Sequence, residues 1–408
     1  MTDGSGYHKS LIVLVIAMFS MATGVGFIVP LLPVYAETMG ASGLWIGLIF
    51  AANPFFRAML MVVFGSLSDT RGKKKIILGG LLGYMIVALG FVVATLPIHL
   101  FFLRVVQGLF SAMISPVARA YAGELSPANA EGKVMGTLNT GFFAGFAGGP
   151  IMGGLLADRF GFNVPFYAMA ILSAVSVLLV IIWLPEQKSH TPSADQRPVE
   201  MIMDSLRLFR SDTVRGIVSL RSAVGMGHGI FSSLLPLFAQ LALGLSSAQV
   251  GAIVTVRSLT GAVLQRKCGD LADRYNRKWL ALAGSLLAPV AFLLVPLGQD
   301  QGHMMILSVI IGVGFGVSVP ASEAIAVEQG RKYGMGKMIG LVEMTRSFAM
   351  AGGSIAGGIA LDTLGTDYAF VAAAGLSVSG VLVATWFLRA YRGTPADVVA
   401  DQEQAANG

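Results

Sequence analysis

The chain has 408 residues, 55% of them hydrophobic and only 12% charged, with a mean hydropathy of +0.73 and a formal net charge of +6. A soluble domain carries about 25% charged residues, so this composition excludes a water-soluble globule and points to a lipid bilayer. The basic excess suits anionic lipid headgroups, and no nucleic-acid partner is expected.

Runs of ~20 apolar residues, each able to cross ~30 Å of hydrocarbon as a helix, recur along the chain. The first half holds them near 10–36, 44–68, 75–95, 98–120, 134–157 and 163–184. The second holds them near 214–240, 246–268, 279–298, 303–327, 338–361 and 367–390. They predict an all-α integral membrane protein of twelve transmembrane helices. The expected organisation is a six-helix bundle over 1–184, a linker over 185–212, a second bundle over 213–392 and a tail over 393–408. The linker is polar and contains Pro185, Pro192 and Pro198. Its end, Met201 to Phe209, reads either as a short amphipathic helix on the membrane surface or as plain solvated chain.

Span 1 contains no acid from Leu11 to Ala36, and span 2 carries Arg57. The loop after span 2 reads Gly65-Ser66-Leu67-Ser68-Asp69-Thr70-Arg71-Gly72-Lys73-Lys74-Lys75. A carboxylate at such a boundary can accept charge-assisted hydrogen bonds or face the positive end of another helix. Asp69, Gly65, Arg71, Gly72 and Lys73 therefore form either a gating latch or a basic loop that sets topology. Span 4 carries Arg104, Gln107, Ser111, Ser115 and Arg119 at helical spacing, one polar stripe. Arginine in hydrocarbon costs at least ~2.5–3.5 kcal/mol, so Arg104 should face the bundle interior or a wet cavity. Its role is a cavity cation that senses substrate or a proton site, or a packed arginine held by backbone carbonyls. Span 5 is rich in small residues, among them Gly145, Gly149, Gly153 and Gly154, with Pro150 between. Small residues let helices touch closely, and the proline invites a kink.

In the second half, span 7 has Arg221 and His228, span 8 Arg257, span 10 Glu323, and span 11 Glu343 with Arg346. Glu343 and Arg346 are three apart and can pair on one helix. Arg257 has no partner on its own helix and needs an acid from another span, an anion or water. Proton coupling requires a carboxylate whose pKa can move, so Glu323 and Glu343 are its candidate carriers, or else members of structural ion pairs. Three intramembrane arginines, Arg57, Arg104 and Arg257, would also suit an anionic or zwitterionic substrate.

The second half repeats the first at a displacement of half the chain. Gly65 to Asp69 recurs as Gly269-Asp270-Leu271-Ala272-Asp273, and Gly108, Pro116 and Asp158 recur as Gly312, Pro320 and Asp362. Two stacked similar halves in an apolar chain mark a transporter with its substrate site between two bundles. Lys and Arg concentrate in the N-terminus, the loops after even-numbered spans, the linker and the tail. The opposite loops hold only Arg159. Positive charge stays inside, so a multi-pass plasma-membrane protein with both termini cytoplasmic is expected.

These features resemble the major facilitator superfamily, and within it the twelve-span drug:proton antiporters. The loop from Gly65 to Lys75 is similar to the family's G-x-L-A-D-R-x-G-R-K. Its second copy runs through Gly269, Asp273, Arg274 and Arg277. Arg104-Val105-Val106-Gln107-Gly108 resembles R-x-x-Q-G, and Gly145 to Gly154 resembles the G-x-x-x-G-P-x-x-G-G of the antiporter branch. Thr70, Asn276 and Ser354 depart from the pattern, the last standing where the first half has Pro150. The resemblance implies secondary active transport by alternating access. The expected activity is proton-coupled efflux of small organic or amphipathic compounds. The alternatives are a dedicated exporter of a metabolite, siderophore or lipid-like molecule, or a proton-coupled importer. Protons and a small molecule are the expected partners of a chain acting as a monomer. The sequence has no phosphate-binding G-x-x-x-x-G-K-[ST] loop, one cysteine and five scattered histidines, so an ATP-driven pump, an enzyme, a metal site and a cofactor are not expected.

Overall fold

In lipid an apolar run must satisfy its backbone within itself, and each run here closes as an α-helix. The computed structural model describes residues 4–126, 131–186 and 207–391. It contains α1 (Gly4–Thr38), α2 (Gly43–Arg71), α3 (Lys73–Val93), α4 (Pro97–Leu125), α5 (Glu131–Phe160) and α6 (Val164–Trp183). These are followed by α7 (Asp212–Leu241), α8 (Ser247–Arg274), α9 (Arg277–Leu294), α10 (Gln301–Tyr333), α11 (Met335–Leu364) and α12 (Thr366–Phe387). Among the described residues, eleven of these are long and apolar enough to cross a membrane; α11, which carries Lys337, Glu343 and Arg346, is the twelfth. The protein is an all-α membrane protein.

Several helices outrun the apolar stretches that predict them. Thus α10 continues to Tyr333 through Arg331 and Lys332, basic residues that favour the negative end of the helix dipole. Conversely, α9 stops at Leu294 and passes into a 3-10 turn, Val295–Leu297, at Pro296, which has no backbone N–H to continue the ladder. Of the linker segment read as an amphipathic helix, 201–206 lies outside the described residues, and Leu208–Arg210 is a 3-10 turn.

Two units emerge: Met1–Pro198 with Ser232–Thr255, and Val199–Phe231 with Val256–Gly408. The first is built on a core of Leu14, Met18, Leu81, Tyr84, Ile114, Tyr121 and Met169. Its α1 and α5 run in backbone contact: a Cβ on Gly149 would stand 2.9 Å from the Cα of Gly26. The 232–255 segment is fastened to the same pair. Gln240 Nε2 donates to Pro30 O at 2.9 Å, and Thr255 Oγ1 to Ala147 O at 2.7 Å. Asp158, near the end of α5, caps α8 by accepting from Ser247 N at 3.0 Å and Ala248 N at 2.8 Å. The second unit packs α9 against α10, where Ser285 Oγ and Ser318 Oγ lie 2.6 Å apart. Cys268 is buried near the end of α8.

Two departures between the halves have local explanations. Gly72 turns the chain between α2 and α3 at φ 93°, a conformation that favours glycine. Its counterpart Asn276 has a negative φ of −63° with ψ 110° and caps α9 instead, its side chain accepting from Lys278 N and Trp279 N. Ser354, in place of a proline, puts its Oγ 3.1 Å from both Met350 O and Gly229 O. It thereby ties α11 to α7.

Candidate functional site

Charged side chains in an apolar interior need partners, and three arrangements supply them. The first lies where α2 meets α3 and α8 meets α9. Buried Lys73 donates to Glu124 Oε1 on α4 at 2.6 Å. In the second half Arg277 Nη1 lies 3.6 Å from Glu328 Oε2 on α10. Tyr391 donates to that same oxygen at 2.7 Å, and burial, reinforced by the Glu328 carboxylate, holds its phenol pKa well above the usual value. Each loop's next lysine reaches a helix-end carbonyl: Lys74 Nζ to Ile181 O at 3.0 Å, Lys278 Nζ to Arg389 O at 3.2 Å. Arg71 and Arg274 are exposed, and Gly65 and Gly269 are partly buried, with no neighbour within 4 Å of an added Cβ. The side chains of Asp69 and Asp273 lie outside the described residues.

The second arrangement joins α2 and α4. Arg104 is 3% exposed. Its Nε donates to Ile49 O at 3.3 Å, its Nη1 to Gln107 Oε1 at 2.6 Å, and its guanidinium sits 5.5 Å from the Phe50 ring centre. It is thus buried against α2 rather than solvent-facing in this structure. Gln107 is fully buried, and its Nε2 has no partner among the described residues. Ser111 and Ser115 continue the buried stripe while Arg119 is exposed, and Arg57 is half-buried on α2.

The third is a four-membered cluster in the second unit. Arg221 on α7 is 3% exposed and its Nη2 lies 3.3 Å from Glu343 Oε1 on α11 and 3.5 Å from Glu323 Oε1 on α10. Arg346 Nη2 lies 3.1 Å from Glu343 Oε2. Two guanidiniums and two carboxylates balance in charge. Glu343 is doubly paired, whereas Glu323 keeps 57% of its side chain exposed. Arg257 joins none of the three. The packing residues Gly145 and Gly153 press α5 on α1, and Gly154 meets the α8 backbone at Ser247. Beside that packing, Val15, Ile16, Phe19, Lys133, Thr137 and Thr140 line a groove of about 610 Å³ on α1 and α5.

The family model of the Major Facilitator Superfamily matches residues 14–240 and 217–406. The chain belongs to this superfamily. An uncharacterized MFS-type transporter of Methanocaldococcus jannaschii is 28% identical over 88% of this chain and 92% of its own length. Multidrug resistance protein MdtG of Serratia proteamaculans is 26% identical over 94% of each chain. Quinolone resistance protein NorA of Staphylococcus aureus is 26% identical over 77% of this chain and 80% of its own. Among solved structures, a mutant of the nucleoside transporter NupG superposes with a TM-score of 0.80 at 15% identity, covering 92% of this chain and 99% of that one. These likenesses make the protein a multi-pass transporter of the major facilitator fold, with a small-molecule substrate.

Within that frame, Glu124 and Glu328 escaped the sequence reading because each sits at a helix end, where acids are common. Their signal was the repeat itself, for they occupy matching positions in the two halves. Arg221 was visible as an intramembrane cation, but its partners lie on α10 and α11, far away in sequence.

Proposed function

We propose that this superfamily member exports small organic or amphipathic compounds in exchange for protons, by alternating access. The carrying observation is the Arg221–Glu323–Glu343–Arg346 cluster. Glu343 neutralises two cations, one of them buried, and protonating it would leave Arg221 with Glu323 alone. Such a change alters which packing of α7, α10 and α11 is favoured, and a group that binds a proton better in one conformation biases the equilibrium towards it. The exposed carboxylate of Glu323 gives the proton its approach. The export direction rests on likeness to the multidrug and quinolone resistance proteins and on the glycine- and proline-rich α5. The groove on α1 and α5, apolar with one cation, suits amphipathic cargo.

In the same reading the paired loops act as gate latches. Asp69, Asp273, Lys73 and Arg277 are assigned to these latches, and both termini face the cytoplasm, where the basic loops are retained. Arg104 with Gln107 holds α2 on α4 during the exchange. The test is flux in proteoliposomes: a fluorescent amphipathic dye should move against its gradient when a pH gradient is imposed. Dye movement that ignores the pH gradient would refute proton coupling.

A further inference from the structure

Arg257 is the buried cation that the machinery above leaves unused. It lies on α8 and is 6% exposed, yet among the described residues it has no carboxylate within ion-pair distance and makes no hydrogen bond. Its one strong contact is with the Phe231 ring face, 4.6 Å from the ring centre to the guanidinium carbon. A ring face attracts a cation but does not replace the hydrogen bonds lost on leaving water. The backbone beneath it is fixed, because a Cβ on Gly312 would stand 2.6 Å from Arg257 O. The matching position of the first half is Asn53, whose carbonyl packs on Gly108 at the same 2.6 Å. The scaffold is therefore common to both halves and the charge is not.

The guanidinium borders a partly open cavity of about 30 Å³ lined by α7, α8, α9, α10 and α12. His228, Ser285, Ser377, Phe292 and Phe315 contribute to its wall. Ser377 Oγ is buried and has no partner among the described residues. Ser285 Oγ is occupied by Ser318 and by Ala281 O. Most of the wall is apolar, and its polar side chains are Arg257, His228, Ser285 and Ser377. The space admits two or three waters where those groups converge, or one compact anionic group, but not a drug-sized molecule. Among the described residues no acid lines it to repel such a group.

We propose that this cavity is a seat for one compact monovalent anionic group, held by Arg257 and Ser377. An inorganic halide, or the carboxylate at the end of an organic molecule, shares that chemistry. The site shares no residue with the proton-coupling cluster, and its failure would leave the proposed export reading standing.

The test uses the purified full-length protein in lipid nanodiscs. Binding of radiolabelled chloride is measured at constant ionic strength, with competition by formate, by benzoate and by bulky gluconate. Saturable chloride binding, displaced by formate and not by gluconate, is expected, with affinity about tenfold weaker in Arg257→Gln and reduced in Ser377→Ala. If benzoate displaces chloride more strongly than formate, the source is an organic carboxylate; the reverse order marks an inorganic or very small anion. Ser377→Ala covers the case in which Arg257→Gln does not fold. Absence of saturable anion binding in the unaltered protein, or binding unchanged in a folded Arg257→Gln, overturns the proposal.

Discussion

Lys73 Nζ lies 2.6 Å from Glu124 Oε1, joining the start of α3 to the end of α4. Half a chain away Arg277 and Glu328 repeat the join at 3.6 Å. The following lysine of each loop bonds a carbonyl near the end of the last helix of its half, where a cation meets the negative end of the dipole. What the repeat preserves is thus a charge brace across three helix ends, not merely a basic loop.

The two braces should differ in strength. Glu124 is 40% exposed while Glu328 is 13% exposed and also holds Tyr391. Glu124→Gln is expected to cost ~1 kcal/mol, because Lys73 is buried but Glu124 is open to solvent and the glutamine amide oxygen can still accept from the ammonium. Glu328→Gln should cost ~1–3 kcal/mol, since it strips charge from a buried hydrogen-bonded group. Thermal unfolding in detergent would rank them, and an equal or inverted ranking would show that burial does not set the difference.

Neighbouring glycines on α5 give a sharper contrast. A Cβ on Gly149 would meet the α1 backbone at Gly26, whereas one on Gly148 would meet nothing within 4 Å. Gly148→Ala should therefore leave folding unchanged or slightly improved, alanine being the better helix former by ~1 kcal/mol. Gly149→Val should destabilise by ~3 kcal/mol or more, because backbone cannot yield as a side chain can. Comparable yields of monodisperse protein from the two variants would contradict the close α1–α5 contact.

Legibility followed the range of each signal. Twelve helices could be read because every run carries its own hydrophobic length, and the Glu343–Arg346 pair because it closes within one turn. Asn276 and Ser354 looked like losses of the family pattern; the one proves to cap α9 and the other to tie α11 to α7. Both substitutes answer a backbone need that only the folded chain displays. Arg104 was recognisable as an expensive cation, but its contact with Ile49 O could not be read, since a carbonyl partner leaves no trace in residue type.

That contact also makes Arg104 sensitive to shape. Its fork spans Ile49 O and Gln107 Oε1, and a lysine cannot reproduce two directed bonds from a planar group. Arg104→Lys should lower stability by ~1–3 kcal/mol despite keeping the charge. Arg119→Lys, at an exposed position, should change it by less than ~0.5 kcal/mol. Matched melting curves for both would show the fork to be dispensable.

Asp158 accepts from two successive amides at the start of α8. It caps that helix from another one, so its loss should free the end of α8 from α5. Asp158→Ala is expected to cost ~0.5–2 kcal/mol, the usual worth of a cap. Asp158→Asn keeps one acceptor and should cost about half as much. Hydrogen exchange at Ser247 and Ala248 would locate the effect: protection lost at these two amides in Asp158→Ala is expected, and unchanged protection would show that the helix end is held by other contacts.

The coupling cluster makes the strongest demand. Glu343 touches both Arg221 and Arg346, while Glu323 pairs among the described residues with Arg221 and is largely exposed. If Glu343 is the pivot, Glu343→Gln locks the neutral form, and the proton gradient loses its lever. Net dye flux should fall by an order of magnitude or more, while exchange at equal concentrations persists. Glu323→Gln removes the proton's approach but leaves the pivot titratable, so net flux should slow by a smaller factor and stay gradient-driven. Arg221→Gln leaves the carboxylates with a single cation, which favours their protonation. Its gradient-driven flux should then reach its maximum at a higher pH than in the unaltered protein. These three responses separate a proton pivot from a structural ion pair, which would unfold or weaken in all three variants without altering the balance of net flux and exchange. Gradient-driven flux that survives intact in Glu343→Gln assigns the coupling proton elsewhere.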